Sequence, residues 1–237
     1  MGVFDKYSAV LEKTDTITQI GRVKRVQGLL IESTGPQAFV GEQCRIVIPN
    51  KNRSVWAEVV GAEGSDLRLM PYDEVDGIEV GASVVGSGEY LSIPVSDKLL
   101  GRVLDARGRP IDGKGDVGSA DFYSIYNQPP DVLERAPIRS QLVTGIRSVD
   151  AMLPVGKGQR LGVFSGSGVG KSTLIGMIAR NTEADVNVIA LIGERSREVR
   201  EFIEHDLGPE GLKRSVVIVS TSNTPALARL RGEIGRA

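Results

Sequence analysis

The hydrophobic residues between positions 20 and 93 fall in short runs, each rich in Val, Ile and Leu and bounded by Gly, Pro, Asn or Ser-Asp clusters. The runs are GRVKRVQGLLIEST, AFVGEQCRIVI, SVWAEVVGA, DLRLMPY and GASVVGSG. Short apolar runs at regular spacing, separated by turn residues, are typical of β-strands. Because closure removes exposed sheet edges, the pattern predicts a small closed β-barrel of about six strands.

After Thr144 the pattern alternates between apolar runs of strand length and amphipathic runs of helix length. The successive segments are RLGVFS (strand), KSTLIGMIARN (helix), VNVIALI (strand), SREVREFIEHDL (helix) and SVVIVS (strand). Strands that alternate with helices of about a dozen residues form parallel sheets through right-handed crossovers. The second part of the chain is therefore predicted to be an α/β domain with a parallel sheet.

The remaining segments set the domain limits. Between the two regions, DARGRPIDGKG predicts a turn-rich hairpin and NQPPDVLERAPI an extended connector. Ahead of the barrel, Val3, Phe4 and Tyr7, with either Val10 or Leu11, recur at helical spacing and predict a short amphipathic helix. Its mixed charges favour docking on its own domain or on a partner protein over a membrane surface. We therefore divide the chain into an N-terminal helix at 1–18, a β-barrel domain at 19–94 and an α/β domain at 95–237.

Composition and charge exclude several classes of protein. The 29 basic and 30 acidic residues give a net charge of -1, so the chain has no polyelectrolyte signal for nucleic acid or anionic lipid. No apolar stretch approaches the roughly 18 to 20 residues of a membrane span, and the first residues, MGVFDK, lack the basic, apolar and small-residue succession expected of a signal peptide. The single cysteine, Cys44, allows no internal disulfide and no metal cluster. These features predict a cytoplasmic protein.

The segment SGSGVGKST lies between a predicted strand and a predicted helix, which is the order of a phosphate-binding loop. Its three glycines let backbone N–H groups turn towards an anion, while the helix points its positive end to the same place. Lys171 can then reach the β and γ phosphates, and the Ser172 hydroxyl can ligate Mg²⁺. The strict motif has glycine where this chain has Ser165. The predicted loop comprises Ser165, Gly166, Ser167, Gly168, Val169, Gly170, Lys171, Ser172 and Thr173.

A second candidate is the acid that follows the next strand. VNVIALI ends in GERSREVREF, so Glu194 is expected at the carboxyl edge of the parallel sheet, where ligands of such folds collect. There it can polarise the water that attacks the γ phosphate, the role we favour, or hold a magnesium-bound water. The structural alternative is that Glu194 caps the helix starting near Ser196. Arg195 and Arg197 can contact phosphates or a neighbouring subunit, or lie on a solvated helix face.

Together these motifs resemble the F1-type rotary ATPase family over nearly the whole chain. The resemblance is carried by DAMLPVGKGQRLGVFSGSGVGKST, LIGERSREVREFIE and STSNTPALARLRG. Within the family, the serine-led loop, GER followed by SREVREF, and TSNTPALARL look most like the flagellum-specific ATPases of the bacterial type III protein-export apparatus. The resemblance implies a RecA/F1-like P-loop NTPase fold behind the barrel, with ATP hydrolysis coupled to export of flagellar proteins.

The resemblance also implies roles and partners. Lys171 corresponds to the phosphate lysine, Ser172 to the Mg²⁺ ligand, Glu194 to the acid that activates water, and Arg195 to the adjacent family arginine. Implied partners are the other subunits of a homo-hexamer, a regulatory stalk protein bound by the N-terminal helix, the export gate and the export substrates. Neither nucleic acid nor a membrane span is implied. The implied location is cytoplasmic and peripheral, at the inner face of the cytoplasmic membrane.

The chain departs from the family pattern at its end. Family members continue into an apolar strand ending in Asp, an arginine finger and a helical C-terminal domain, whereas this sequence stops at GEIGRA. Because loss of an arginine finger costs related NTPases roughly 10³ to 10⁵ in rate, we expect an incomplete chain that binds nucleotide but hydrolyses it poorly. Four alternatives remain open: a virulence type III secretion ATPase, a proton-translocating ATP synthase subunit, an RNA-translocating termination factor, and a non-catalytic assembly subunit.

Overall fold

A computed structural model of the chain describes residues 19–48, 53–118, 121–128, 130–166 and 168–234. The helix predicted at 1–18 and the loop residue Ser167 lie outside the described residues. The chain separates into two compact units, and the division falls between Leu91 and Ser92. Among the described residues, no helix has the length and apolar character needed to cross a membrane.

The first unit is the predicted closed barrel, with six strands in the order β1-β2-β5-β4-β3-β6 and antiparallel pairing throughout. The first apolar run splits at Gly28 into two strands, which explains how five runs give six strands. Alternate residues point inward and form a core that includes Val23, Ile31, Ile46, Val59 and Leu69. The strands are β1 (Ile20–Gln27), β2 (Leu30–Thr34), β3 (Glu42–Ile48), β4 (Arg53–Glu63), β5 (Asp66–Pro71) and β6 (Ser83–Tyr90).

Cys44 provides a chemical test of the barrel because it is the only thiol in the chain. Its side chain is fully buried, and burial raises the pKa of the thiol to about 12. A raised pKa keeps the thiol neutral at pH 8, and the thiolate is the nucleophile. We expect alkylation at pH 8 to be at least about 10³-fold slower in the native chain than in concentrated urea. A native rate within tenfold of the unfolded rate would contradict a closed barrel around Cys44.

The second unit is built on a parallel sheet of three strands in the order β12-β13-β8. Two small antiparallel pairs, β7 with β9 and β10 with β11, accompany it. The strands are β7 (Ser92–Val95), β8 (Val103–Asp105), β9 (Asp121–Ser124), β10 (Gln141–Leu142), β11 (Val155–Gly156), β12 (Asn187–Ile192) and β13 (Ser215–Ser220). The α-helices are α1 (Arg147–Met152), α2 (Lys171–Asn181), α3 (Ser196–Glu201), α4 (Gly208–Lys213) and α5 (Ala226–Ile234); a π-helix spans Phe202–Leu207, and short 3₁₀ helices span Asp97–Leu99 and Val132–Glu134.

Helices cover the parallel sheet on one face through an apolar cluster. The cluster includes Val217 and Val219 of β13. Ala179 of α2 and Phe202 of the π-helix pack against them. Because side chains alternate across a strand, Ile192 and Ser220 point to the opposite face, and Gly232 of α5 lies against them there. The sheet therefore lies between α2 on one side and α5 on the other.

The predicted hairpin at DARGRPIDGKG is present and held by a buried ion pair. The Asp105 N–H donates to the Arg109 carbonyl at 2.8 Å, closing the turn after β8. Arg102 donates to Asp112 through Nε at 2.7 Å and Nη2 at 2.9 Å, and both side chains are largely buried. The Arg102 guanidinium holds the pKa of the Asp112 carboxyl well below its usual range, so the carboxylate stays charged and keeps the hairpin closed.

Two predicted elements differ from the structure. The predicted strand RLGVFS does not form: residues 160–165 have no regular secondary structure, and Phe164 is 96% exposed. A strand needs a hydrogen-bonded neighbour, and within the described residues β12 pairs with β13 alone. The predicted single helix SREVREFIEHDL is instead α3 followed by the π-helix, and α4 begins directly after it at Gly208. Apolar periodicity detected both segments, but it carries no information on strand pairing or on a change in helical pitch.

Candidate functional site

The glycine loop turns sharply before α2. Gly168 has a φ of 77°, and Gly170, at the N-cap of α2, has a φ of 98° in the left-handed region. Residues with a Cβ are strained in this region, so the backbone itself requires glycine at these two positions. A Cβ added at either glycine would meet no atom within 4 Å, so the space around the turn is open. Gly166 is not among the glycines with positive φ.

The start of α2 is free to receive an anion. The Leu174 N–H donates to the Gly170 carbonyl at 2.9 Å, which leaves the N–H groups before it without intrahelical partners. The first turn contains no acidic residue, and the side chains of Lys171, Ser172 and Thr173 are exposed. Lys171 forms no ion pair with any residue that the structure describes. The positive helix end, the free N–H groups and the lysine therefore suit a phosphate group.

Two other predicted loop residues are also at the surface. Ser165 is exposed, and its hydroxyl donates to the Gly166 carbonyl at 3.2 Å. Val169 is 72% exposed. Both residues are therefore accessible to a ligand.

Glu194 lies at the carboxyl edge of the sheet, as the sequence predicts. The strand β12 ends at Ile192, and Gly193 follows with a φ of 75°. The Gly193 N–H donates to the Ser220 carbonyl at 2.7 Å, and the Glu194 carbonyl accepts from the Ser222 N–H at 3.0 Å. These two bonds fix the backbone of Glu194 to the end of β13. Its side chain is half-buried, which keeps the carboxylate accessible to solvent and to a ligand.

The structure does not support a helix-capping role for Glu194. Arg195, not Glu194, occupies the N-cap of α3, and the cap has no side-chain hydrogen bond. The Val199 N–H donates to the Arg195 carbonyl at 3.0 Å and begins the helix. The Arg195 side chain is 75% exposed and pairs with Glu198 of its own helix at 3.6 Å, a contact that contributes little stability in solvent. Arg197 is exposed as well.

Hydroxyl groups at the same sheet edge escaped the sequence-based prediction. Ser220 ends β13 fully buried, and its Oγ lies 2.8 Å from the Thr224 Oγ1. The Thr224 hydroxyl donates to the Thr221 carbonyl at 2.7 Å. The only sequence signal was the polar run TSNT after the strand. These bonds order the loop to which the Glu194 backbone is attached.

A groove of about 1100 Å³ lies elsewhere in the second unit, on the sheet face opposite α2. Its lining includes Leu104, Tyr123, Val188 and Ile218. None of the residues predicted to bind or act on a nucleotide lines this groove. The candidate site residues therefore lie outside this groove, in the glycine loop, at the start of α2 and in the loop that follows β12.

Comparison with known proteins gives matches in both units. The family model described as the β-barrel domain of the ATP synthase alpha/beta family matches residues 23–88, and the nucleotide-binding domain model of the same family matches residues 145–234. The flagellum-specific ATP synthase of Treponema pallidum is 56% identical over 96% of this chain and 51% of its own length. That of Bacillus subtilis is 52% identical over 93% of the chain and 51% of its own length.

A secretion-system protein is among the structural matches. The assembled ATPase EscN of the enteropathogenic Escherichia coli type III secretion system superimposes with a TM-score of 0.81 and 37% identity, over 91% of this chain and 52% of EscN. EscN in complex with its central stalk EscO gives a TM-score of 0.82. The chain spans about half the length of the relatives it matches.

Proposed function

The chain belongs to the ATP synthase alpha/beta family, and from this premise we propose that it is an ATP-binding and ATP-hydrolysing motor subunit that energises export of flagellar proteins through a type III export apparatus. The observation that carries the proposal is the combination of a glycine loop and an exposed Lys171 at the start of α2 with a solvent-accessible Glu194 after β12. Phosphoryl transfer to water requires an element that binds the phosphates and a group that orients the attacking water.

The residues of the loop suit a nucleotide with its metal ion. Backbone N–H groups of the loop and the Lys171 ammonium bind the phosphates, and the exposed hydroxyls of Ser172 and Thr173 stand beside them. No group of three or more acidic, histidine or cysteine side chains able to hold a metal occurs among the described residues. Ser172 is the side chain that would hold Mg²⁺, and the bound ion would neutralise the β and γ phosphate oxygens.

Glu194 acts on the attacking water in the proposed mechanism. Its carboxylate accepts a hydrogen bond from the water and orients it towards the γ phosphate. The carboxylate takes up the water's proton as the bond from the water oxygen to the γ phosphorus forms and the bond from that phosphorus to the bridging oxygen breaks, which releases ADP. Its backbone is fixed to β13, so little reorganisation is needed at that step. Arg195 contacts the phosphates or a neighbouring subunit once it leaves its exposed pairing with Glu198.

The similarities favour a flagellar over a virulence role. The flagellum-specific relatives of Treponema pallidum, Bacillus subtilis and Borreliella burgdorferi are 56%, 52% and 47% identical to the chain. The type 3 secretion ATPases of Xanthomonas euvesicatoria and Sinorhizobium fredii are 44% and 40% identical. Residues 1–90 carry 9 basic and 13 acidic residues, a net charge of -4. This disfavours an RNA-translocating motor, whose barrel needs basic and aromatic residues.

The solved relatives support an assembled state. EscN is described both as an assembled ATPase and in complex with a central stalk. We extend this to the present protein as a homo-hexamer that binds a stalk protein, the export gate and export substrates, at the cytoplasmic face of the membrane. Residues 1–18 are the proposed contact for the regulatory stalk partner.

A chimera tests this function in cells. Residues 1–237 replace the matching segment of the Bacillus subtilis flagellum-specific ATP synthase, which is 52% identical over 222 residues. We expect the chimera to restore swimming and flagellin export to a strain that lacks the native gene, because the inserted segment supplies the proposed phosphate loop and Glu194. Lys171→Ala is the matched control and should abolish the rescue. A stably expressed chimera that gives no export, or a Lys171→Ala chimera that exports normally, would contradict the proposal.

A further inference from the structure

Helix α2, which follows the glycine loop, approaches the backbone of the π-helix closely at Gly176. Gly176 is buried in α2, and a Cβ placed on it would lie 2.6 Å from the carbonyl oxygen of Asp206 and 2.8 Å from its carbonyl carbon. Side-chain Cβ atoms essentially never approach other atoms within 3.0 Å, so only glycine allows this contact. Glycine in a helix interior costs about 1 kcal/mol relative to alanine. Close backbone packing, and not helix propensity, accounts for the residue here.

The π-helix explains why the Asp206 carbonyl faces α2. Phe202 and Leu207 begin and end this segment, and both are buried in the cluster beneath α2. In an α-helix, residues five apart point about 140° away from each other, so both could not face one cluster. The i to i+5 pairing of a π-helix brings them to the same side. The two buried side chains therefore anchor the π-helix, and with it the Asp206 carbonyl, against α2.

This contact joins the two halves of the candidate site. Lys171 begins α2 five residues before Gly176, and Glu194 precedes α3, which runs directly into the π-helix. We propose that Gly176 is a positioning residue: its contact with the Asp206 backbone sets the separation between the phosphate loop and Glu194. The inference rests on the proposed function and adds to it the element that holds the acid in place relative to the bound phosphates.

A methyl group at this point must displace the π-helix. The carbonyl oxygen has to move from 2.6 Å to beyond 3.0 Å, and it belongs to the main chain, so no side-chain rotation can relieve the clash. Misplacement of a reacting group by about 1 Å can cost about 10²-fold in rate. The loop residues that bind phosphate precede Gly176 and keep their own conformation. Gly176→Ala should therefore reduce turnover far more than nucleotide affinity.

The matched control is a second helical glycine in the same unit. Gly232 is buried in α5 on the opposite face of the sheet, and a Cβ there would lie 3.1 Å from the Ile192 Cδ1 and 3.2 Å from the Ala106 Cβ. These are side-chain atoms, one of them the flexible end of Ile192. Gly232→Ala thus makes the same chemical change in a helix without a backbone clash and without contact with α2.

Hydrogen exchange on the 237-residue chain, titrated with MgADP, tests the coupling without requiring turnover. In the unmodified chain we expect MgADP to slow exchange in residues 165–176 and in residues 196–207 at the same half-saturating concentration. In Gly176→Ala, MgADP should still protect residues 165–176 but should no longer protect residues 196–207. In Gly232→Ala it should protect both segments. In the chimera, Gly176→Ala should lower kcat at least tenfold and change KM less than threefold, a split that general destabilisation would not produce.

The outcomes separate this inference from the proposed function. Protection of residues 165–176 without any effect on residues 196–207 in the unmodified chain overturns the inference and leaves nucleotide binding intact. Retention of both effects in Gly176→Ala also overturns it. If Gly176→Ala shows no cooperative thermal unfolding, the titration of the unmodified chain decides alone, with linked protection as the supporting result. Absence of protection at residues 165–176 at any MgADP concentration refutes the proposed function itself.

Discussion

Lys171→Ala is expected to lower the affinity of the 237-residue chain for MgATP by about 100-fold, equivalent to about 2.7 kcal/mol. The lysine begins α2, its ammonium is exposed, and it pairs with no described residue, so its charge is available to the phosphates. Hydrogen bonds to charged groups contribute about 1.5 to 3 kcal/mol each, which sets the expected loss. Titration calorimetry measures the change directly.

A surface lysine elsewhere in the same unit controls for loss of positive charge. Lys213 ends α4, is exposed and pairs with Glu210 at 2.7 Å. Lys213→Ala should change the MgATP affinity less than threefold. If Lys171→Ala lowers the MgATP affinity less than threefold, or if both variants lower it equally, Lys171 is not the phosphate lysine and the loop has another role.

Glu194→Gln is expected to lower ATP turnover by about 10² to 10⁴-fold while MgATP affinity changes less than threefold. The amide keeps the size of the carboxylate and its place at the end of β12, but it cannot take up a proton from water. Because the chain spans about half the length of its relatives, steady-state phosphate release is measured in the Bacillus subtilis chimera.

The next acid along the chain supplies the control for Glu194. Glu198 lies in the first turn of α3 and pairs with the exposed Arg195. Glu198→Gln should leave turnover within threefold of the parent. If Glu194→Gln lowers MgATP affinity and not turnover, Glu194 holds a magnesium-bound water. If it lowers neither, Glu194 is not part of the site.

The features of the fold and the site that the sequence predicts are those determined by residues close together in the chain. Turn residues and short apolar runs specified the six-strand barrel, because each strand buries alternate side chains within a few residues of its turn. The glycines before Lys171 specified a sharp turn into a helix, since two of them need left-handed backbone. Glu194 was placed at the sheet edge because the carboxyl ends of parallel strands share one edge.

The parts that escaped prediction depend on contacts between distant residues. Residues 160–165 have the composition of a strand, but pairing with a neighbour decides whether a strand forms. The π-helix arises because Phe202 and Leu207 enter one cluster, which periodicity within a single helix does not reveal. The bonds that fix Glu194 follow from the register of β12 and β13, in which Ile192 lies opposite Ser220.

One nucleotide, bound by the glycine loop, is expected to be hydrolysed through Glu194. To test this, the Glu194→Gln chimera is mixed with MgATP labelled at the γ phosphate, and bound ATP and released phosphate are measured in the same samples. The variant should retain ATP unhydrolysed long after the parent chimera has released phosphate. Absence of bound ATP, or phosphate release at the parent rate, would show that Glu194 does not act on a nucleotide held by this loop.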